Sequence, residues 1–152
     1  LADLTDEQVH ETFQINIMSM FTLSRAALKH MGPGSTIVNT TSVQAYNPNP
    51  RLLDYAATKG AIKQLTKGMC TDWDRHGLQV NAIAPGLIQT KFARTIWEND
   101  ELMSEITRRT PANRIGQPDE IAGMALYLAS PASSFATGQV FVVDGGLTIP
   151  TV

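Results

Sequence analysis

The amino-acid sequence predicts an α/β protein built on a parallel sheet. Short runs of β-branched and apolar residues at 36–41, 78–84 and 140–143 are candidate strands. Longer amphipathic segments separate these runs, and glycine or proline stands at most of the boundaries. Because strands that alternate with helices usually join one sheet in parallel, this order favours a parallel sheet with helices packed on its faces.

The first helix is predicted from Asp6 to Met31. Thr5 and Gln8 match a capping box at its start, and Gly32-Pro33 can end it. Apolar residues recur along one side of this segment at helical spacing: Val9, Phe13, Ile17, Met20 and Phe21. We therefore expect an amphipathic helix that leads into the first strand.

A second helix is predicted between the first two strands. Residues 42–53 contain two prolines and three asparagine or glutamine residues, which indicates a loop. The helix then runs from about Tyr55 to Arg75, with His76-Gly77 at its end. Its expected buried face is formed by Ile62, Leu65, Thr66, Met69, Cys70 and Trp73.

The remaining elements follow the second strand, which Pro85-Gly86 ends. Residues 91–109 form a variable amphipathic segment. A further helix is predicted from Pro118, a favoured first helical residue, to about Ala129. The final strand at 140–143 is ended by Asp144-Gly145-Gly146.

Composition describes one globular domain, residues 1–152. Hydrophobic residues make up 43% of the chain, charged residues 17%, and the formal net charge is −2. The sequence has no basic stripe of the kind that predicts nucleic-acid binding, and it has no apolar run long enough to span a membrane. The acidic N-terminus is unlike a secretory signal, and the single cysteine, Cys70, cannot form an internal disulfide. These features lead us to expect a cytoplasmic protein.

Asn16 is unusual because it shares the apolar side of the first predicted helix with Phe13 and Met20. Asparagine is unfavourable inside a helix, and a buried amide needs hydrogen-bond partners. The simplest interpretation is a core asparagine that bonds to neighbouring backbone.

Tyr55 and Lys59 lie one helical turn apart, on the side that continues into Ile62 and Thr66. A lysine that points inward is costly unless it is paired. An ammonium beside a phenol favours the phenolate, so the pair could form a tyrosine acid/base with a lowered pKa. Alternatively, both side chains extend to solvent at the start of a helix.

Ser42 directly follows the first predicted strand, and Pro85-Gly86 follows the second. In open parallel sheets, ligands bind beyond the carboxyl ends of the strands, so these residues are expected at one edge with Tyr55. Ordinary interpretations stay open as well: Ser42 as a turn-capping hydroxyl and Pro85-Gly86 as a tight turn. The sequence has no Gly-x-Ser-x-Gly elbow, no Walker loop and no histidines at metal-ligand spacing.

The ordered set Asn16, Ser42, Tyr55-x-x-x-Lys59, Asn81-Ala82-Ile83-Ala84-Pro85-Gly86 and Asp144-Gly145-Gly146 resembles the short-chain dehydrogenase/reductase family. The resemblance extends from Thr5 to Leu147. It implies the second half of a Rossmann-like, doubly wound parallel sheet, an NAD or NADP cofactor and a small carbonyl or alcohol substrate. It also implies a homo-oligomer, a dimer or tetramer, formed through the first two helices and the last helix and strand.

The resemblance also implies roles for individual residues. Tyr55 is the expected acid/base, Ser42 binds the substrate oxygen, and Lys59 binds the nicotinamide ribose and lowers the Tyr55 pKa. Asn16 is expected to break its helix locally and to hold a water that leads to Lys59. Four residues are expected to contact the nicotinamide end of the cofactor: Pro85, Gly86, Ile88 and Thr90. Residues 91–109 correspond to a substrate lid.

The sequence departs from the family because it has no glycine-rich cofactor turn, neither Gly-x-x-x-Gly-x-Gly nor Gly-x-Gly-x-x-Gly. We therefore expect this chain to be the catalytic part of a longer protein, and to be inactive and poorly stable alone. Two alternatives stay open. One is a non-catalytic fragment that acts as a packing or interaction module, and the other is a sugar-nucleotide epimerase, which shares Tyr-x-x-x-Lys. Stretches near Ser42 resemble stress-type reductases, whereas those near Asn81 resemble gluconate dehydrogenases, so no substrate is predicted.

Overall fold

The computed structural model describes residues 1–149, except for the side chain of residue 74. The described residues form a parallel sheet of three strands: β1 (Thr36–Thr40), β2 (Gln79–Pro85) and β3 (Val140–Val143). Their spatial order is β1-β2-β3, and the register pairs Thr40 with Ile83 and Pro85 with Val143. This arrangement confirms the predicted α/β class and the parallel sheet.

The first helical region is continuous from Asp6 to Leu28 but changes its winding in the middle. It consists of α1 (Asp6–Phe13), a π turn (Gln14–Met18) and α2 (Ser19–Leu28). The predicted capping box is present, with the Thr5 hydroxyl accepting from the Gln8 amide and the Gln8 side chain accepting from the Thr5 amide. No residue of this region is fully buried. Its apolar side is therefore only partly covered by the rest of the described chain.

Helix α3 (Leu53–Trp73) is the central helix and begins two residues before its predicted start. A 3₁₀ turn (Asp74–His76) extends it, and Gly77 with φ +67° ends it. Four residues of its predicted buried face are buried, while Leu65 and Cys70 are half-buried. Met69 and Trp73 form a core cluster with Leu78 and Val80 at the start of β2.

The C-terminal third contains α4 (Arg94–Trp97), α5 (Asp100–Arg109) and α6 (Pro118–Leu128). The amphipathic segment 91–109 is thus two short helices, separated at Asn99, which caps α5 by accepting from the Leu102 amide. Helix α6 and strand β3 lie within one residue of their predictions. No helix within residues 1–149 combines the length and the apolar character needed to cross a bilayer.

Strand β2 lies between β1 and β3, and its residues from Val80 to Ala84 are all buried. Asn81, fully buried in this strand, donates to the Ala136 carbonyl at 2.7 Å and accepts from the Gln139 amide at 3.1 Å. These bonds fix the loop before β3 against the centre of the sheet. The carboxyl ends of β1 and β2 are therefore held side by side, next to the first turns of α3.

Candidate active site

Ser42 lies two residues beyond the end of β1 and is 8% exposed. Its backbone is extended, and its hydroxyl accepts from the Gln44 amide at 3.2 Å, which caps the 3₁₀ turn Val43–Ala45. The same hydroxyl lies beside the Tyr55 side chain, where it acts to lower the pKa of the phenol. The turn-capping interpretation is therefore confirmed, and this turn orients the hydroxyl towards the phenol.

Tyr55 and Lys59 are both half-buried, on the first two turns of α3. The Lys59 ammonium lies 5.3 Å from the centroid of the Tyr55 ring and donates to the Thr40 carbonyl at 3.0 Å. The Thr41 hydroxyl donates to the Lys59 carbonyl at 2.6 Å, so the end of β1 holds this lysine at two points. The structure thus brings Ser42, Tyr55 and Lys59 together at one edge of the sheet.

The pKa of Tyr55 shifts in the direction opposite to that expected from the sequence. Burial raises this pKa, because desolvation penalises the phenolate, and the neighbouring Ser42 hydroxyl opposes the rise. Burial also lowers the pKa of Lys59. The ammonium lies over the ring and is bonded to the Thr40 carbonyl, and burial sets the direction of both pKa shifts.

Asn16 lies in the π turn, so the helix does change its winding at this residue. Its side-chain amide donates to the Thr58 hydroxyl at 3.0 Å, and that hydroxyl donates to the Tyr55 carbonyl at 2.7 Å. Asn16 is half-buried, and its amide is bonded to a side chain of another helix, so the interpretation of a backbone-bonded core asparagine is wrong.

Sequence reasoning missed Thr41 and Thr58, two buried threonines whose hydroxyls bond to the carbonyls of Lys59 and Tyr55. A signal for Thr58 was available, because it lies three residues after Tyr55 and four before the buried Ile62. For Thr41 the adjacent strand end was the only indication, and the contact with Lys59 is tertiary.

The residues after β2 form a close-packed segment, and the four predicted cofactor residues Pro85, Gly86, Ile88 and Thr90 are all half-buried in it. The Gly86 amide donates to the Val143 carbonyl at 3.0 Å, and a Cβ on Gly86 would lie 2.8 Å from Asp144 Cα. Gly86 thus permits a close approach to this chain's own backbone. The Thr90 carbonyl accepts from the Trp97 indole at 2.8 Å, which ties this segment to α4.

The position of Ile88 depends on Gly116, with which it forms a parallel bridge. A Cβ on Gly116 would lie only 2.5 Å from Ile88 Cδ1. Arg114 holds this loop through a two-bonded ion pair with Glu120 on α6, at 2.7 and 2.6 Å. An open groove of about 550 Å³ lies beside this pair, away from Tyr55, and is lined by Met103, Thr107, Asn113, Arg114, Ile115, Gln117 and Glu120.

The arrangement around Tyr55 fits the ribose end of a nicotinamide nucleotide. An ammonium has three donor hydrogens, and among residues 1–149 the Lys59 ammonium has one bonded acceptor, the Thr40 carbonyl. The other two can bind neighbouring hydroxyls of a ribose. The described residues contain no cluster of acidic, histidine or cysteine side chains suited to a metal ion.

Comparison with known proteins is consistent with this geometry. A family model described as enoyl-(acyl carrier protein) reductase matches residues 1–148. The chain is 42% identical to gluconate 5-dehydrogenase of Gluconobacter oxydans, covering 98% of this chain and 59% of that protein. It is also 42% identical to general stress protein 39 of Bacillus subtilis, covering 99% of this chain and 52% of that protein.

A solved structure shows the same fold. The gluconate 5-dehydrogenase of Burkholderia cenocepacia, in complex with NADP and tartrate, superposes with a TM-score of 0.95 at 41% identity, over 99% of this chain and 60% of that one. The chain therefore spans between half and three fifths of the length of these relatives. With the family model matching nearly its whole length, the chain belongs to the short-chain dehydrogenase/reductase family.

Proposed function

We propose that this chain supplies the catalytic part of an NAD(P)-dependent oxidoreductase that moves a hydride between the nicotinamide and a carbonyl or alcohol. The observation that carries the proposal is the convergence of two polar groups on one phenol. The Ser42 hydroxyl lies beside the Tyr55 side chain and acts to lower its pKa, and the Lys59 ammonium lies 5.3 Å from the centroid of its ring. A bound nicotinamide cofactor supplies the hydride, and the protein supplies position and the proton.

Tyr55 is the proposed proton donor and acceptor for the substrate oxygen. Because burial raises the pKa of Tyr55, the phenol is protonated at neutral pH, which is the form that gives a proton to a carbonyl oxygen. The proposed role of the Ser42 hydroxyl is to donate a hydrogen bond to the same oxygen as negative charge develops on it. The proposed role of Lys59 is to bind the ribose hydroxyls and to keep positive charge beside the phenol.

Asn16 and the segment after β2 complete the proposed site. The π turn at Asn16 lies against the first turns of α3, through the bond to Thr58, and is suited to hold a water on a proton path to Lys59. Pro85, Gly86, Ile88 and Thr90 follow the end of the central strand, where a nicotinamide ring and its carboxamide can lie against the backbone. Residues 91–109 are the proposed lid.

The relatives support the cofactor class and suggest the first substrate to assay. One solved relative is described with NADP, and two of the relatives are gluconate 5-dehydrogenases. We propose that the region of these relatives not matched by this chain carries the glycine-rich turn, and that residues 1–152 alone are inactive. The proposed unit is therefore one domain to which this chain contributes the C-terminal part.

Assembly into a dimer or tetramer is the proposed state of the complete protein. Large apolar side chains on the first helical region are strongly exposed, among them Ile15 at 61%, Met18 at 50% and Leu23 at 68%. Helix α1 packs against α3, where the Thr12 hydroxyl donates to Asp54 at 2.6 Å. A second copy can cover the exposed side of this pair. We further propose a cytoplasmic location, in keeping with the free Cys70.

The proposal is tested in a completed enzyme, in which residues 1–152 replace the matched region of the Gluconobacter gluconate 5-dehydrogenase. Gluconate with NADP is the first substrate pair. Tyr55→Phe should lower turnover by roughly 10²–10⁴-fold, the usual effect of removing a positioned acid/base. Tyr127→Phe, on the half-exposed face of α6, is the matched control and should leave turnover unchanged.

Equal turnover in the parent and in Tyr55→Phe would remove Tyr55 from the mechanism. A completed enzyme with no turnover at all would favour the alternative of a non-catalytic packing module, which the absence of a glycine-rich turn in this sequence supports.

A further inference from the structure

A buried hydroxyl connects the π turn to the helix that carries Tyr55. Thr58 is 0% exposed. Its hydroxyl accepts from the Asn16 side-chain amide at 3.0 Å and donates to the Tyr55 carbonyl at 2.7 Å. A hydroxyl has one hydrogen to donate, so the single donor of Thr58 is committed to the residue that bears the phenol.

The same two helices meet at a second point on the other side of Tyr55. The Thr12 hydroxyl donates to Asp54, the residue before Tyr55, at 2.6 Å. Residues 12 and 16 are one turn apart on the first helical region, and their partners lie on either side of Tyr55 in sequence. The start of α3 is thus held at two points, and only the point through Thr58 rests on a fully buried side chain.

We propose that Thr58 is a positioning residue for the reaction, which sets the place of the Tyr55 phenol through the Asn16–Thr58–Tyr55 chain of hydrogen bonds. The proposal rests on the acid/base function proposed for Tyr55. Thr58 bonds to the backbone carbonyl of Tyr55, and its proposed role is to fix the backbone of the turn from which the phenol projects. Because Ser42 is held by β1 and its own cap, movement of this turn changes the contact between Ser42 and Tyr55.

Helix α3 contains a matched control for this threonine. Thr66, two turns further on, is also 0% exposed. Its hydroxyl accepts from the Asn39 side-chain amide at 2.9 Å and donates to the Ile62 carbonyl at 2.9 Å. Thr66→Val therefore removes the same pair of hydrogen bonds from the same helix without touching the turn of Tyr55.

The experiment measures kcat, KM and the pH profile of three variants of the completed enzyme. Thr58→Val should lower kcat roughly 10- to 100-fold with little change in KM, the scale expected when a reacting group is displaced by a fraction of an ångström to one ångström. Thr58→Ser, which keeps the hydroxyl, should restore kcat. Thr66→Val should lower the unfolding temperature and leave kcat unchanged.

The pH profile separates positioning from a general loss of stability. The neighbouring Ser42 hydroxyl lowers the pKa of Tyr55, so a longer distance between the two side chains in Thr58→Val should move the inflection of kcat to higher pH. Thr66→Val should keep the parent inflection. Asn16→Ala combined with Thr58→Val should lower kcat by less than the product of the single effects, because both changes break one chain of bonds.

The result that overturns this proposal is distinct from failure of the proposed function. If Tyr55→Phe is inactive but Thr58→Val matches the parent, Thr58 has no positioning role although Tyr55 is catalytic. Equal losses of kcat in Thr58→Val and Thr66→Val also overturn it. If Thr58→Val does not fold, Thr58→Ala carries the test, since it also removes the hydroxyl and must reproduce the pH shift.

Discussion

Replacing Gly86 with alanine should destabilise the protein, because the end of β2 and the Asp144 turn approach each other too closely for a side chain. A Cβ on Gly86 would lie 2.8 Å from both Cα and Cβ of Asp144 and 3.2 Å from its carbonyl oxygen. Favourable carbon–carbon contacts are at about 3.5–4.0 Å, so the overlap is roughly 0.7 Å or more.

Asp144 cannot easily move away, because hydrogen bonds hold it on both sides. The Gly86 amide donates to the Val143 carbonyl at 3.0 Å, and the Asp144 carboxylate accepts from the amides of Gly146 and Thr148 at 2.9 and 2.8 Å. Overpacking of this kind costs about 1–3 kcal/mol, and contact with rigid backbone favours the upper half of that range. For a protein of 150–250 residues, about 2 kcal/mol corresponds to roughly 4–8 °C in unfolding temperature.

The assay is thermal unfolding of the completed enzyme, followed by circular dichroism. Gly68→Ala is the control, since Gly68 lies inside α3 and has nothing within 4 Å of an added Cβ. Alanine in a helix interior is favoured over glycine by about 1 kcal/mol, so this control should raise the unfolding temperature. An unfolding temperature of Gly86→Ala equal to or above that of the parent would refute the steric argument.

Two further predictions concern exposed surface and acid. Residues 1–152 expressed alone should elute as aggregates, because the chain exposes 9785 Å² whereas a folded 16.5 kDa monomer exposes about 7,600 Å². They should also show no micromolar NAD(P) binding by calorimetry, because the sequence has no glycine-rich cofactor turn. A monodisperse chain that binds the cofactor at micromolar concentration would contradict this. Hydrogen bonds from Arg114 and the Gln117 amide lower the pKa of Glu120 from 4.5 to about 2, so its contribution to stability is complete above pH 4.5 and is lost as the pH falls towards 2. Glu120→Gln should flatten the acid unfolding profile in that interval, and an unchanged slope would argue against the Arg114–Glu120 pair.

Local signals were enough to predict every strand and the long helices. Several helix boundaries have a signal within a few residues of them: the capping box at Thr5, the glycine turn at Gly77 and the proline at the start of α6. The apolar spacing of α3 likewise predicted its buried face, since that spacing follows from helix geometry alone.

Two features were harder to predict from the sequence: the π turn and the division of residues 91–109 into two helices. A π turn inserts one residue into a helix without a strong local signal, and only the mid-helix Asn16 marked it. Segment 91–109 has one amphipathic pattern, but Asn99 adopts an extended backbone and starts a new helix there.

The sequence by itself determined the α/β class, the order of its elements and the family, because periodicity, caps and the Ser42, Tyr55 and Lys59 spacing are local or ordered along the chain. Only the tertiary structure decided that Asn16 reaches Thr58, 42 residues away, and that Gly86 accommodates Asp144. It also decided the direction of the Tyr55 pKa. The physical reason is that desolvation depends on what surrounds a group in space, and the spacing of charged residues along a chain does not contain that information.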